Sequence, residues 1–262
     1  MSTWNGQNRG KDMIEHKRSA IVTGGGRGIG KAIVDRLAED GFAVMFTYQS
    51  DENAARSVEK SHQEAGRAVR AFRADQADID AVSSLFQTAS AWFGKNDGPF
   101  LDVLVCSAGI IEHVPIESIT PEMFDRVMGI NARGTLFTMQ QAGHAMRENG
   151  RVVCISTIGT AWPSAGEAVY AASKAAVEQF ARVASREWGA RGITVNVVSP
   201  GPTDTDLLRR DADEETLTNL TYMTALRRLG RPSDIAGIVG MLVDESQGWV
   251  TGQNIRADGG LV

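Results

Sequence analysis

The chain has only two cysteines in 262 residues, and nothing around them shows metal-ligand spacing. That argues against a disulfide framework and a zinc site, so no metal centre is expected. Cys106 and Cys154 each lie in an apolar run, where a buried free thiol is the expected state. A reducing, cytoplasmic location is the matching expectation. No apolar run is long enough to span a bilayer, and the polar stretch Met1 to Lys17 has no secretory-signal core. Residues 1–17 are expected to be a flexible tail of little functional weight. There is no basic excess either: 27 Lys and Arg stand against 32 Asp and Glu, a net charge of −5. Nucleic acid and anionic membrane are therefore not expected partners.

What is present is the material of a soluble globular protein, with 42% hydrophobic and 23% charged residues. Short β-branched runs alternate with amphipathic stretches. Strands are predicted at 19–23, 43–47, 69–74, 101–106, 151–156, 193–198 and 253–256. Helices are predicted at 28–40, 52–65, 79–93, from Pro121 onward as one long helix, from Tyr170 to about Ala190, and at 233–243. Thr120 and Pro121 form a cap and first turn. Strands that are nearly all apolar and alternate with helices imply a parallel sheet covered on both faces. No composition break or internal repeat divides the chain. One doubly wound α/β domain over residues 18–262, with seven strands, is the expected fold.

Two features carry chemistry. Thr23-Gly-Gly-Gly-Arg-Gly-Ile-Gly30 lies where the first strand meets the first helix. Glycines there permit a tight turn and close approach of backbone to a pyrophosphate, and the helix start offers free N–H groups. Tyr170 and Lys174 stand four apart on a predicted helix, so a phenol and an ammonium share one face. A nearby cation would lower the phenol pKa toward the range of a general acid or base. Alone, such a pair is more often an ordinary helix face.

The glycine spacing, with Gly24, Gly28 and Gly30, is wider than the common dinucleotide fingerprint. Together with Asp75 after the third strand, Ala108-Gly109 after the fourth, Asn131, Tyr170 with Lys174, and Pro200-Gly201 after the sixth, it resembles the short-chain dehydrogenase/reductase family. The resemblance covers Lys17 to Val262 and implies a Rossmann-like fold and a homotetramer, with the Asn131 and Tyr170 helices at one interface. It implies that Tyr170 donates a proton to a substrate carbonyl as hydride arrives, and removes the alcohol proton in reverse. Lys174 would bind the nicotinamide ribose and lower the tyrosine pKa, while Asn131 would hold a water linking Lys174 to solvent.

By the same resemblance, Gly24, Arg27, Gly28, Ile29, Gly30, Asp75, Ala108, Gly109, Tyr170, Lys174, Pro200, Gly201, Thr203 and Thr205 line the cofactor. Asp75 would contact the adenine, although an isolated aspartate could equally cap a helix. Thr203 and Thr205 would meet the carboxamide and phosphates, with the neighbouring aspartates turned outward. No acid follows the second strand until Asp51, and Arg27 suits a 2′-phosphate. NADP(H) is therefore the expected cofactor, with NAD(H) possible if Arg27 merely faces solvent.

The chain departs from the family in two places. Thirteen positions before the tyrosine, where a serine is usual, stands Thr157. Threonine keeps the hydroxyl donor, and strand alternation should turn Ser156 the other way. The role falls to Thr157, with Ser156 as the alternative. After the fourth strand, Cys106-Ser107 replaces the usual pair of asparagines, which puts a hydrogen bond between strands in doubt.

Residues of about 203–230 correspond to the family's variable substrate lid, and its acids read as a solvated face. Trp162 and Glu167 could line the pocket. The expected substrate is a small carbonyl or secondary alcohol, of 3-oxoacyl or other ketone type. Alternatives are a sugar or polyol, or a dinucleotide-binding regulator without catalysis. An acyl-carrier partner would want a basic rim, for which Arg133, Arg227, Arg228 and Arg231 are candidates.

Overall fold

A computed structural model describes residues 17–94 and 98–262. The expected tail therefore lies outside the described residues, apart from Lys17. Seven strands form one parallel sheet: β1 (Ser19–Thr23), β2 (Ala43–Tyr48), β3 (Val69–Arg73), β4 (Leu101–Cys106), β5 (Met146–Ile155), β6 (Thr194–Pro200) and β7 (Asn254–Ala257). Their order is β3-β2-β1-β4-β5-β6-β7. The order reverses at β1, so the crevice beyond the ends of β1 and β4 is where a ligand belongs in such a sheet.

Period-two alternation explains why both faces are apolar. Ile21, Met45, Leu104, Val152 and Val195 face one layer, while Val22, Val44, Phe46, Val103 and Val153 face the other. The first layer holds α3 (Ile79–Trp92), α5 (Thr135–Ala145) and α6 (Ala168–Glu187). The second holds α1 (Gly28–Glu39), α2 (Glu52–Glu64) and α9 (Pro232–Val243). Each such side chain, fully buried, contributes about 1.5–3 kcal/mol. Among the described residues no helix is long and apolar enough to cross a membrane.

The expected boundaries hold within a few residues, with three informative differences. β5 begins at Met146 rather than Arg151, through a register shift against β4 between Leu101 and Val103. The Tyr170 helix ends at Glu187 and passes into a 3₁₀ turn at Gly189–Arg191, which Gly192 closes with φ 70°. The long helix from Pro121 is not regular. α4 (Pro121–Met128) runs into a π-helical stretch at Gly129–Gly134 before α5. The widening brings Gly134 under the Gln76 carbonyl, where a Cβ would sit 2.2 Å from the oxygen.

The expected lid, residues 203–230, contains two short helices, α7 (Asp206–Asp211) and α8 (Glu214–Met223). Its base is closed by a bridge between Thr203 and Gly230 and by the hydrogen bond from Gly230 N–H to the Pro202 carbonyl.

Candidate active site

The glycine loop is built by contacts that forbid side chains. Gly24 takes φ 71°, and a Cβ on it would lie 2.8 Å from Ala108 Cα. A Cβ on Gly30 would lie 2.1 Å from the Gly24 carbonyl oxygen. Gly28 takes φ 54° and faces the Thr205 methyl. The loop, the end of β4 and the turn after β6 thus meet at one place. The first helical backbone bond of α1 runs from Lys31 N–H to the Arg27 carbonyl. The N–H groups of Gly28, Ile29 and Gly30 precede it and are available to an anion. Ile29 itself packs against the core. Arg27 is exposed, and its side chain caps nothing.

Two threonines that sequence reasoning passed over hold this loop. Thr47 Oγ1 accepts from Gly24 N–H at 3.0 Å. Thr23 Oγ1 accepts from the N–H groups of Ser107 and Ala108, both at 3.1 Å. The second pair makes the β1–β4 joint that the missing asparagine put in doubt. For Thr23, a hydroxyl at the last position of a strand entering a glycine turn was the available signal.

Asp75 caps no helix; Asp78 caps α3 instead. Asp75 accepts from Gln49 Nε2 at 3.0 Å and from Ala77 N–H at 2.8 Å, so it ties β3 to the residues after β2. Gly201 lies against Asp258, where a Cβ would be 2.6 Å from Cα, so the turn after Pro200 admits no side chain. Thr203 Oγ1 donates to the Gly201 carbonyl at 2.9 Å, and Thr205 caps α7 by accepting from Leu208 N–H at 3.4 Å. Asp204 is turned to Arg209, as expected of an outward acid.

Asn131 sits in the π-helical stretch, fully buried. Its Oδ1 accepts from Ile110 N–H at 2.8 Å, and its Nδ2 donates to the Ile110 carbonyl at 2.8 Å and to Ser173 Oγ at 3.0 Å. Both amide protons are therefore spent on protein, leaving only Oδ1 to receive a water. Gly109 stands between this amide and Lys174: a Cβ there would be 3.2 Å from Asn131 Oδ1 and 3.2 Å from Lys174 Nζ.

The Tyr170–Lys174 pair corrects one expectation. Lys174 Nζ donates to the Ile155 carbonyl at 2.9 Å, and burial holds its pKa down at about 8. Tyr170 is not lowered. Desolvation pushes its phenol up to about 12, a hydrogen bond from Thr157 opposes the rise, and the Glu167 charge adds to it. Burial sets the direction because it disfavours the charged phenolate.

Thr157 and Ser156 point to opposite sides. Thr157 Oγ1 stands by the phenol and accepts from Gly159 N–H at 3.2 Å. Ser156 Oγ donates to Glu178 Oε1 at 2.7 Å, and Thr160 Oγ1 donates to the same oxygen at 2.7 Å. Cys106 and Cys154 are free, buried and paired in register across β4 and β5. Their mutual hydrogen bond and burial push the Cys106 thiol up.

A doubly wound sheet with a glycine loop at its switch point, and a tyrosine, lysine and hydroxyl across the crevice, defines a dinucleotide-binding oxidoreductase architecture. A family model described as enoyl-(acyl carrier protein) reductase matches residues 24–262. Versicolorin reductase 1 of Aspergillus parasiticus is 35% identical over 253 residues, covering 92% of this chain and 95% of its own. A blue fluorescent protein from a metagenomic library, solved with NADPH, is 39% identical at a TM-score of 0.87, over 94% of this chain and 98% of its own. An angucycline C-6 ketoreductase solved with NADP is 35% identical at 0.86, over 93% and 95%. The chain belongs to the short-chain dehydrogenase/reductase family.

Proposed function

We propose that the protein is an NADP(H)-dependent reductase of ketones. The observation that carries this reading is the meeting of Tyr170, Thr157 and Lys174 at the end of β5, opposite the glycine loop. The loop, the free N–H groups of α1 and the small residues Ala108, Gly109 and Gly201 fit a dinucleotide, whose pyrophosphate needs N–H donors and close approach of backbone. Arg27, exposed and with no side-chain pairing among the described residues, suits a 2′-phosphate, Asp75 the adenine, and Thr203 and Thr205 the phosphates and carboxamide.

When bound, the nicotinamide supplies the hydride that reduces the carbonyl carbon. Tyr170 gives its phenolic proton to the carbonyl oxygen, and Thr157 donates a hydrogen bond to the same oxygen as it gains charge. A phenol held at about 12 stays protonated at physiological pH and so holds the proton that reduction requires. Lys174 holds the ribose, and Asn131 with Lys174 brackets the path by which Tyr170 is reprotonated.

Two of the named relatives are a versicolorin reductase and an angucycline C-6 ketoreductase, and a cyclic ketone is the first substrate to try. Carrier-bound 3-oxoacyl groups are less favoured, because Arg228 is paired with Asp234 and Arg133 and Arg227 are bound to backbone carbonyls. A cytoplasmic homotetramer completes the proposal. Loss of NADPH absorbance against cyclic ketones, 3-oxoacyl thioesters, sugars and small ketones, repeated with NADH, tests it. Turnover of a ketone with NADPH is expected. Tight NADPH binding without turnover would indicate a regulator, and a clear NADH preference would overturn the assignment to Arg27.

A further inference from the structure

Glu167 stands at the N-cap position of α6, three residues before Tyr170, yet its side chain caps nothing. Neither carboxylate oxygen makes a hydrogen bond among the described residues. The nearest partner is the exposed His113, with Nδ1 3.8 Å from Oε1, beyond hydrogen-bonding distance. The side chain is nonetheless only 16% exposed. Beside this one ion-pair contact, the half-buried carboxylate keeps the capacity to accept from a further donor.

The carboxylate lies near two of the reacting groups. One point, the place a Cβ on Gly159 would occupy, is 3.1 Å from Glu167 Oε2 and 3.4 Å from Thr157 Oγ1. Gly159 therefore leaves the two side chains on one wall without a barrier between them. The Glu167 charge is felt at the Tyr170 phenol, and burial raises the pKa of Glu167 itself. The loop that carries it is fixed by the hydrogen bond from Val114 N–H to the Gly166 carbonyl at 2.8 Å.

We propose that Glu167 is a substrate-recognition residue that accepts a hydrogen bond from a hydroxyl carried by the ketone beside its reacting carbonyl. The substrate class is thus a hydroxylated ketone. A bare ketone offers no such donor, and a ketone bearing a carboxylate at that place is repelled. The inference rests on the reductase reading, and its test separates the two.

The test compares kcat/KM for 1-tetralone and its monohydroxy isomers in the wild type, E167L and E167Q. In the wild type at least one hydroxy isomer should exceed the parent ketone by about tenfold or more, the value of a hydrogen bond to a charged group. E167L should abolish that preference, lowering kcat/KM for the hydroxy isomer by about tenfold more than it changes the parent. E167Q, which keeps a carbonyl acceptor, should retain part of it. Equal losses on both substrates in E167L, or an unchanged ratio, would overturn the proposal and leave the reductase reading intact. If the wild type reduces no ketone at all, the reductase reading fails and this inference falls with it.

Discussion

Ser156 and Glu178 are joined by a 2.7 Å hydrogen bond from the serine hydroxyl to one carboxylate oxygen, and Thr160 donates to that same oxygen. The serine is thereby spent on α6, two helical turns beyond Tyr170. The residue between these two donors and the phenol is Thr157, whose carbonyl also accepts from Thr160 Oγ1 at 3.1 Å. The strand end is clamped on one side and open to the reacting groups on the other.

The two hydroxyls should therefore separate by experiment. T157V removes the donor beside Tyr170, and turnover should fall by about a hundredfold or more, as for loss of one donor to a developing oxyanion. S156A should keep turnover within a few-fold and instead lose about 1–2 kcal/mol of stability, because Glu178 loses one of its donors. Steady-state rates and urea unfolding on both variants decide. Full activity in T157V with an inactive S156A would reverse the assignment.

How much of this was readable in the chain depends on where the forces act. β1 and β4 have the bounds their apolar runs predict, because a strand buried on both faces is written as a continuous run. The resemblance set the glycine loop and Ala108 along one cofactor, but not the direct contact that Gly24 makes with Ala108. The π-helical stretch at Gly129–Gly134 was not legible. Its residues read as ordinary helix, and the widening comes from Ile110 holding Asn131 and from Gln76 pressing on Gly134, both distant in sequence. The upward shift of Tyr170 was hidden for the same reason. Spacing shows a lysine four residues away, but desolvation is a property of the packed crevice.

Gly109 offers a test of the gap between Asn131 and Lys174. A methyl there would lie 3.2 Å from both polar atoms, inside ordinary contact distance. Either Lys174 must leave the Ile155 carbonyl or Asn131 must shift from Ile110. G109A should lose about 1–3 kcal/mol, the usual range for overpacking. Its kcat should fall more than that stability loss explains. Thermal melting and kcat, measured with saturating NADPH, check this; unchanged kcat would mean that the gap has no role.

The glycine loop makes a sharper prediction. In G30A the new methyl would stand 2.1 Å from the Gly24 carbonyl oxygen, so the loop must open. NADPH affinity should drop by about tenfold or more, since backbone N–H groups no longer converge on one anion. Gly237, inside α9 with nothing within 4 Å of its Cβ position, is the control. G237A should bind NADPH normally and gain about 0.5–1 kcal/mol of stability, because alanine replaces glycine in a helix. Fluorescence titration and urea midpoints report both quantities.

Lys174 and Tyr170 should leave opposite marks on the pH dependence of stability. Lys174 is held at about 8 when folded, against 10.5 for the free side chain. Between those values the unfolded chain binds a proton that the folded chain does not, so stability contributed here rises with pH across that window. Below about pH 8 the buried ammonium exerts its full cost. K174M removes that cost, so it should be inactive yet at least as stable as the wild type near neutrality, with its advantage shrinking as pH rises from about 8 to 10.5. Tyr170 runs the other way: its folded value of about 12 lies above the usual 10.0, so the folded chain keeps a proton that the unfolded chain loses, and stability falls as pH rises between them. The difference between wild type and Y170F should therefore change only above about pH 10. Urea unfolding of the three proteins from neutral to alkaline pH reads both effects. Parallel stability curves for wild type and K174M would show that the lysine carries no desolvation cost.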